Sequence, residues 1–209
     1  MKKEASYPTE LSADPEFKET VEKLVAECNI EEIVETGTYC GTGSTLIFAE
    51  TKLPVFSIEC NAGHVAIAKK NLRNHPNVAV LHGHSLKYRE MLEFIYKDTV
   101  YEKKPELKRE GGSRAWLYYL GEISCRTPAE NLLVKLIGNN KRQLVLLDSS
   151  GGVGYLEFQK FMRIKHLERK VLMLDDVRHV KHYRSVQELK NRGVKFHFSD
   201  SKRWGWARF

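Results

Sequence analysis

The sequence has no apolar run long enough to cross a bilayer, and its start, Met-Lys-Lys-Glu-Ala-Ser-Tyr-Pro, lacks the apolar centre of a signal peptide. Its four cysteines, Cys28, Cys40, Cys60 and Cys125, are scattered without a C-x-x-C pair, so their spacing suggests neither a zinc site nor a disulfide framework. Reduced thiols and a cytoplasmic location are the expectation. No internal repeat is convincing, and nothing reads as a second core: 209 residues suit one α/β domain around a buried sheet. What is in excess is positive charge, a formal +7, which favours anionic partners such as nucleic acid, acidic substrates or a membrane surface. Charge bears on encounter rather than chemistry, and a soluble basic enzyme accounts for it equally well.

The most informative stretch is 31–45, Glu-Glu-Ile-Val-Glu-Thr-Gly-Thr-Tyr-Cys-Gly-Thr-Gly-Ser-Thr. A short β-branched run ends in Glu35; Gly37, Gly41 and Gly43 follow, then an apolar segment that reads as a helix. Strand, glycine turn and helix start together make a place where backbone approaches a ligand closely. The spacing is G-x-x-x-G-x-G, which does not fit the dinucleotide fingerprint G-x-G-x-x-G.

The same grammar recurs along the chain. Asp14-Pro15 reads as a helix start, with Phe17, Val21, Leu24, Val25 and Cys28 on one face. Residues 54–58 read as a strand ending at Glu59, 61–73 as a helix, 77–82 as a strand, and 86–97 as a helix. Residues 97–114 mix both charge signs with Pro105 and Gly111-Gly112. Their aromatic continuation, 115–120, either covers a pocket or packs over the core edge, so 97–126 reads as an insertion or lid. Thr127-Pro128-Ala129-Glu130 is a capping box that predicts a helix from there to about Gly138. Residues 143–147 and 170–174 read as buried strands ending at Asp148 and at Asp175-Asp176, with a helix over 155–167 between them. A helix over 182–192 precedes two strands, 194–198 and about 202–209, joined as a hairpin. Trp204 and Trp206 suit either the core or a contact between copies.

The run Glu35-Thr-Gly-Thr-Tyr-Cys-Gly41 resembles motif I of class I S-adenosylmethionine-dependent methyltransferases, especially the catechol O-methyltransferase-like small-molecule O-methyltransferases. The resemblance spans about Glu31 to the C-terminus, interrupted at 97–126. It implies a Rossmann-like, mostly parallel seven-stranded sheet with an antiparallel last strand and helices on both faces. It also implies that Glu35, Gly37, Thr38, Tyr39, Gly41, Ser44, Glu59, Cys60, His84, Ser85 and Asp148 surround S-adenosylmethionine. Glu35 would reach the ammonium of the methionine moiety, and Glu59 the two ribose hydroxyls. Where such enzymes often carry an aspartate facing the adenine amino group, this chain has His84.

Asp148, Asp175 and Asp176 match in order the acids that hold a metal in that branch, so the resemblance implies a Mg²⁺ that orients and acidifies the acceptor hydroxyl. Crowded carboxylates at one sheet rim also need neutralising on general grounds. The alternative is that Asp148 and Asp175 cap helices or touch the cofactor without a metal. The lysine or histidine base found just after the first of these acids in relatives is missing from Asp148-Ser-Ser-Gly-Gly152, which leaves His179 as a candidate base and His182 near it. O-methylation of a small-molecule hydroxyl is the leading expectation. An RNA methyltransferase and a non-catalytic S-adenosylmethionine-binding protein are the alternatives. Against the RNA reading, no separate RNA-binding module is visible, and Asp148-Ser-Ser-Gly is unlike the Asn/Asp-Pro-Pro-Tyr of amino-methylating enzymes.

Overall fold

The computed structural model describes residues 11–98, 100 and 114–209. Seven strands form one sheet: β1 (Glu32–Thr36), β2 (Val55–Glu59), β3 (Val78–His82), β4 (Gln143–Leu147), β5 (Lys170–Leu174), β6 (Phe196–Phe198) and β7 (Gly205–Arg208). Their order is β3-β2-β1-β4-β5-β7-β6. The first five are parallel, and β7 runs antiparallel to both β5 and β6. The strand order reverses between β1 and β4, so the carboxyl ends of these two strands open a crevice where ligands bind in such sheets.

The central strands are apolar on both faces because helices cover both. Val34, Val145, Leu147, Leu172 and Leu174 enter one layer, while Ile33, Leu144, Leu146, Val171 and Met173 enter the other. In the second layer lies α1 (Pro15–Glu27), with Phe17, Val21 and Leu24 buried. Asp14 caps it by accepting from Glu16 N at 3.1 Å. The other carboxylate oxygen of Asp14 accepts from Trp204 Nε1 at 2.8 Å, and the Trp204 ring meets Phe17 edge-on, which places Trp204 in the core. Trp206 is half-buried and stacks on His197.

Helices α2 (Ser44–Glu50) and α3 (Ala62–Asn71) follow β1 and β2, and α4 (Tyr88–Lys97) follows β3. The mixed-charge stretch of the expected insertion falls on residue 99 and residues 101–113, outside the described residues. Its aromatic continuation is α5 (Ala115–Ile123), whose Ala115, Tyr119 and Ile123 pack with Met91 and Ile95 of α4. Trp116, Leu117 and Tyr118 stand exposed on its other side.

The helix expected from Thr127 begins instead at Leu132, as α6 (Leu132–Ile137), after Asn131 in a left-handed conformation. Thr127 Oγ1 donates to Ala129 O at 2.9 Å, and the Glu130 carboxylate accepts from Tyr88 N at 2.7 Å. The acid of the apparent capping box thus caps α4, a helix 42 residues away in sequence. Helix α7 (Gly154–Phe161) is shorter than expected, because turns and a short 3₁₀ segment fill the path to β5. Helix α8 (Tyr183–Asn191) leads into the β6–β7 hairpin. Among the described residues, no helix is long and apolar enough to cross a membrane.

Candidate active site

The turn after β1 is shaped by backbone conformations that side chains disfavour. Gly37 has φ +87°, and a Cβ there would lie 2.2 Å from the carbonyl oxygen of Asp148, so only glycine lets β1 and β4 close together at this point. Gly41 has φ +72° and packs against Leu72 and Ala68. Between them, Thr38 is buried with its hydroxyl 2.6 Å from that of Ser57, and Tyr39 takes φ 50° with its ring exposed.

The two strand-end glutamates have opposite fates. Glu35 is wholly buried and accepts hydrogen bonds from the hydroxyls of Ser44, Thr45 (2.6 Å) and Ser57 (2.5 Å). Burial raises its pKa despite those three donors. It ties β1, α2 and β2 together beneath the turn and does not line the cavity. Its carboxylate has no exposed surface and faces the three hydroxyls rather than the cavity where the expected contact with a cofactor ammonium would form. Ser44 is spent on the same cluster.

Glu59 lines the cavity. One carboxylate oxygen accepts from Tyr39 N and the other from Asn61 N, each at 2.8 Å. Two backbone donors therefore fix the carboxylate, and each oxygen keeps a lone pair for a further donor. Asn61 also caps α3, accepting from Gly63 N and His64 N.

Cys60, His84 and Ser85 line the same cavity. His84 is buried, its N–H donates to Ala129 O, and its carbonyl accepts from Leu132 N. Its ring Nε2 lies 3.1 Å from Cys125 O, and burial lowers its pKa. A neutral His84 donates from Nε2 to that carbonyl and keeps Nδ1 as an acceptor. Cys60 has its thiol pKa pushed up by burial and by the neighbouring Cys125 thiol.

At the ends of β4 and β5 the acids meet as expected. Asp148, Asp175 and Asp176 each offer an oxygen within 4.8 Å of the others. Their charges, however, are met by two basic side chains. Lys181 Nζ lies 2.5 Å from Asp148 Oδ1 and 3.3 Å from Asp176 Oδ2. Arg203 forks onto Asp175 with Nε–Oδ1 at 3.0 Å and Nη2–Oδ2 at 2.9 Å. Burial opposes the charge on Lys181, but the three carboxylates, Asp148 foremost, outweigh it and hold its pKa above lysine's ordinary value. This donor set does not fit a divalent ion, because the oxygens that would face it already face an ammonium and a guanidinium.

His179 lines the cavity and is buried. Its Nδ1 accepts from the backbone N–H of Lys181 at 3.1 Å. The neutral ring then carries its proton on Nε2, a donor rather than a base in this arrangement. His182 is wholly buried, with Nε2 3.0 Å from Leu147 O and Nδ1 3.2 Å from Ser185 Oγ, and it does not reach the cavity.

Three contributors escape sequence reading. Lys181 lies in the same short run as the acids, and its register in the loop carried the only available signal. Glu157 of α7 is buried without exposed surface, and burial raises its pKa. It accepts from Thr36 Oγ1 at 3.1 Å, while Thr36 Oγ1 accepts from Asp148 N, also at 3.1 Å, so Glu157 positions Asp148 through Thr36. Glu122 of α5 accepts from Ser150 Oγ, which joins α5 to the loop after β4. Nothing in the sequence distinguishes Glu157 or Glu122 from ordinary helix-surface glutamates.

Together these residues enclose a cavity of about 440 Å³, running from Glu59 and His84 at one end to Asp148, Asp176 and Lys181 at the other, with α5 along one side. Gly37, Tyr39, Glu59, Cys60, His84, Ser85, Asp148, Asp176 and His179 line it. Glu35, Thr38, Gly41, Ser44 and Asp175 stand behind it.

No protein-family model matches the chain, and no curated protein matches it. Solved structures do. An O-methyltransferase from Bacillus cereus in complex with SAH is similar over 97% of this chain and 84% of that one, with a TM-score of 0.55 and 14% identity. A protein from Staphylococcus aureus described as a candidate caffeoyl-CoA O-methyltransferase is similar over 94% and 84%, with a TM-score of 0.54 and 15% identity. The SAH-bound Podospora anserina methyltransferase PaMTH1 is similar over 92% and 77%, with a TM-score of 0.53 and 10% identity. Each likeness runs over more than nine-tenths of this chain, and the chain has the Rossmann-like fold of these methyltransferases.

Proposed function

We propose that this chain is an S-adenosylmethionine-dependent methyltransferase of one domain that methylates an oxygen of a small molecule. The observation that carries the reading is Glu59, a carboxylate fixed by two backbone amides at the end of β2, with lone pairs directed to the cavity. Such a fixed acceptor pair suits a vicinal diol, and the ribose of the cofactor provides one. His84, kept neutral by burial, offers Nδ1 as the acceptor for the adenine amino group in place of the aspartate often found there.

The cavity's volume is in the range that encloses small ligands, and the small-molecule acceptor follows the O-methyltransferases whose fold the chain shares. S-adenosylmethionine supplies the electrophilic methyl group when bound. The chain's own residues bind and orient: Glu59 at the nucleoside, the Asp148–Lys181 pair at the end of β4 and in the loop after β5, and Gly121, Glu122 and Ile123 of α5 along the wall. Mg²⁺ has no part in this reading, since Lys181 and Arg203 already hold the oxygens of the acid cluster.

Calorimetric titration with S-adenosylmethionine and with SAH tests this reading. Micromolar binding of either, lost in E59A, supports it. No binding of either to the folded wild-type protein overturns it. A non-catalytic binding protein is the second reading, favoured by the hydrogen bond that His179 Nδ1 already accepts from the Lys181 backbone N–H. It would bind SAH and yet transfer no labelled methyl group to any acceptor offered.

A further inference from the structure

The loop after β5 delivers a lysine into the midst of three carboxylates, and several features hold it there. The Lys181 side chain is only 6% exposed. Its stem crosses Gly154, the first residue of α7, where a Cβ would come within 2.4 Å of Lys181 Cγ. On one side, the Lys181 backbone N–H is bound to His179 Nδ1. On the other, His182 is anchored to the carbonyl of Leu147 at the end of β4. Val177 N donates to Arg203 O at 2.8 Å, tying the loop to the turn before β7, which carries the second cation.

The charges decide what else this place can accept. Three acids here face two fixed cations, Lys181 and Arg203. A Mg²⁺-like ion needs a near-octahedral shell of oxygens at about 2.1 Å. Asp148 Oδ1 and Asp176 Oδ2 are the oxygens it would use on the cavity side, and Nζ already bridges them. An ion between them would lie against a buried ammonium, which costs more than two exposed charges at that range would.

We propose that Lys181 is the resident cation of this site, occupying the position between Asp148 and Asp176 that a divalent ion would need, so that the positive charge offered to an acceptor oxygen is an ammonium rather than a metal. Its bearing on catalysis rests on the methyltransferase reading, whereas the exclusion of divalent ions does not.

The experiment is a titration of Mn²⁺ into the purified wild-type protein and into K181M, followed by heat of binding and by melting temperature, with SAH titrated in parallel. The wild-type protein is expected to show no Mn²⁺ binding up to about 1 mM and no change in melting temperature. K181M, with its acids uncovered, is expected to bind Mn²⁺ at least about tenfold more tightly and to melt higher in its presence, and the double variant D148N/K181M to lose both effects. If K181M does not fold, K181Q takes its place. Micromolar Mn²⁺ binding by the wild-type protein that disappears in D148N overturns the proposal, as does a folded K181M or K181Q that binds Mn²⁺ no better than wild type. If SAH fails to bind while the Mn²⁺ pattern holds, the methyltransferase reading falls and the assignment of Lys181 stands.

Discussion

The two ends of the parallel sheet both bury charge, and they handle it differently. At the amino end, Glu32 accepts from Gln143 Nε2 (2.6 Å), Asn139 Nδ2 (3.0 Å) and Lys141 Nζ, while Lys170 Nζ donates to the carbonyls of Asn139 and Lys141, each at 2.9 Å. The nitrogen donors of this cluster are spent on protein oxygens. At the carboxyl end, Glu59 is pinned by two amides and keeps acceptor capacity facing the cavity. The two buried lysines make the same contrast. Lys170, meeting carbonyl oxygens, has its pKa pushed by burial down to about 8, whereas Lys181, meeting carboxylates, is held above its ordinary value. Burial alone therefore does not decide whether a group is charged or available; its partners do.

The sharpest way to break this contrast is to remove one acid from each end. E59A is expected to weaken SAH binding roughly 100-fold, about 3 kcal/mol for two hydrogen bonds to a charged acceptor, as read by calorimetry. E32A is expected to leave SAH affinity unchanged within about twofold and to lower unfolding stability in urea by about 2 kcal/mol, because it strands buried amide donors. Equal effects of the two variants on SAH would erase the distinction between the ends.

Smaller effects refine it. The folded pKa of Lys170 lies below its unfolded value, so between pH 8 and 10 the unfolded chain binds the extra proton and stability rises with pH. Relative to K170M, the wild-type protein is expected to gain about 1 kcal/mol between pH 8 and 9.5 in urea melts, with solvent screening included. A loss over the same interval would mean that Lys170 stays charged. E130A, which uncaps α4 from across the chain, is expected to cost about 0.5 kcal/mol of stability with no change in SAH affinity, checked by the same two measurements.

How far the chain could be read without its structure follows from the range of each interaction. The β4 and β5 strands were legible to the residue, since four consecutive apolar positions after a polar first residue, buried on both faces, have no other home in a helix-covered sheet. The start of α1 was legible as well, because Asp14 and Pro15 act on neighbouring amides. The motif at Thr127–Glu130 misled for the opposite reason. A glutamate that can cap its own helix can cap another, and the Glu130 carboxylate accepts from Tyr88 N at the start of α4.

The strand-end acids show the same boundary inside the site. Glu35 and Glu59 look alike in sequence, but Glu35 lies one residue short of the end of β1, in register with Ser57 of β2. It therefore points into the cluster of hydroxyls, whereas Glu59, at the last position of β2, stands at the rim. By register Glu59 lies two residues beyond the level of Glu35, so the two share a face of the sheet and differ in their height toward its rim. Likewise the three aspartates were legible as a group from the ends of their strands, but their neutralisation by Lys181 and Arg203 was not, since Arg203 arrives from 28 residues beyond Asp175.

What the sequence by itself determined is the sheet, its sidedness and the acids at one rim, all products of short-range periodicity and turn chemistry. Only the tertiary structure decided which of those acids faces the cavity, which lies beneath it, and which already holds a cation, because charge pairing acts through space between segments whose separation along the chain carries no record of their contact.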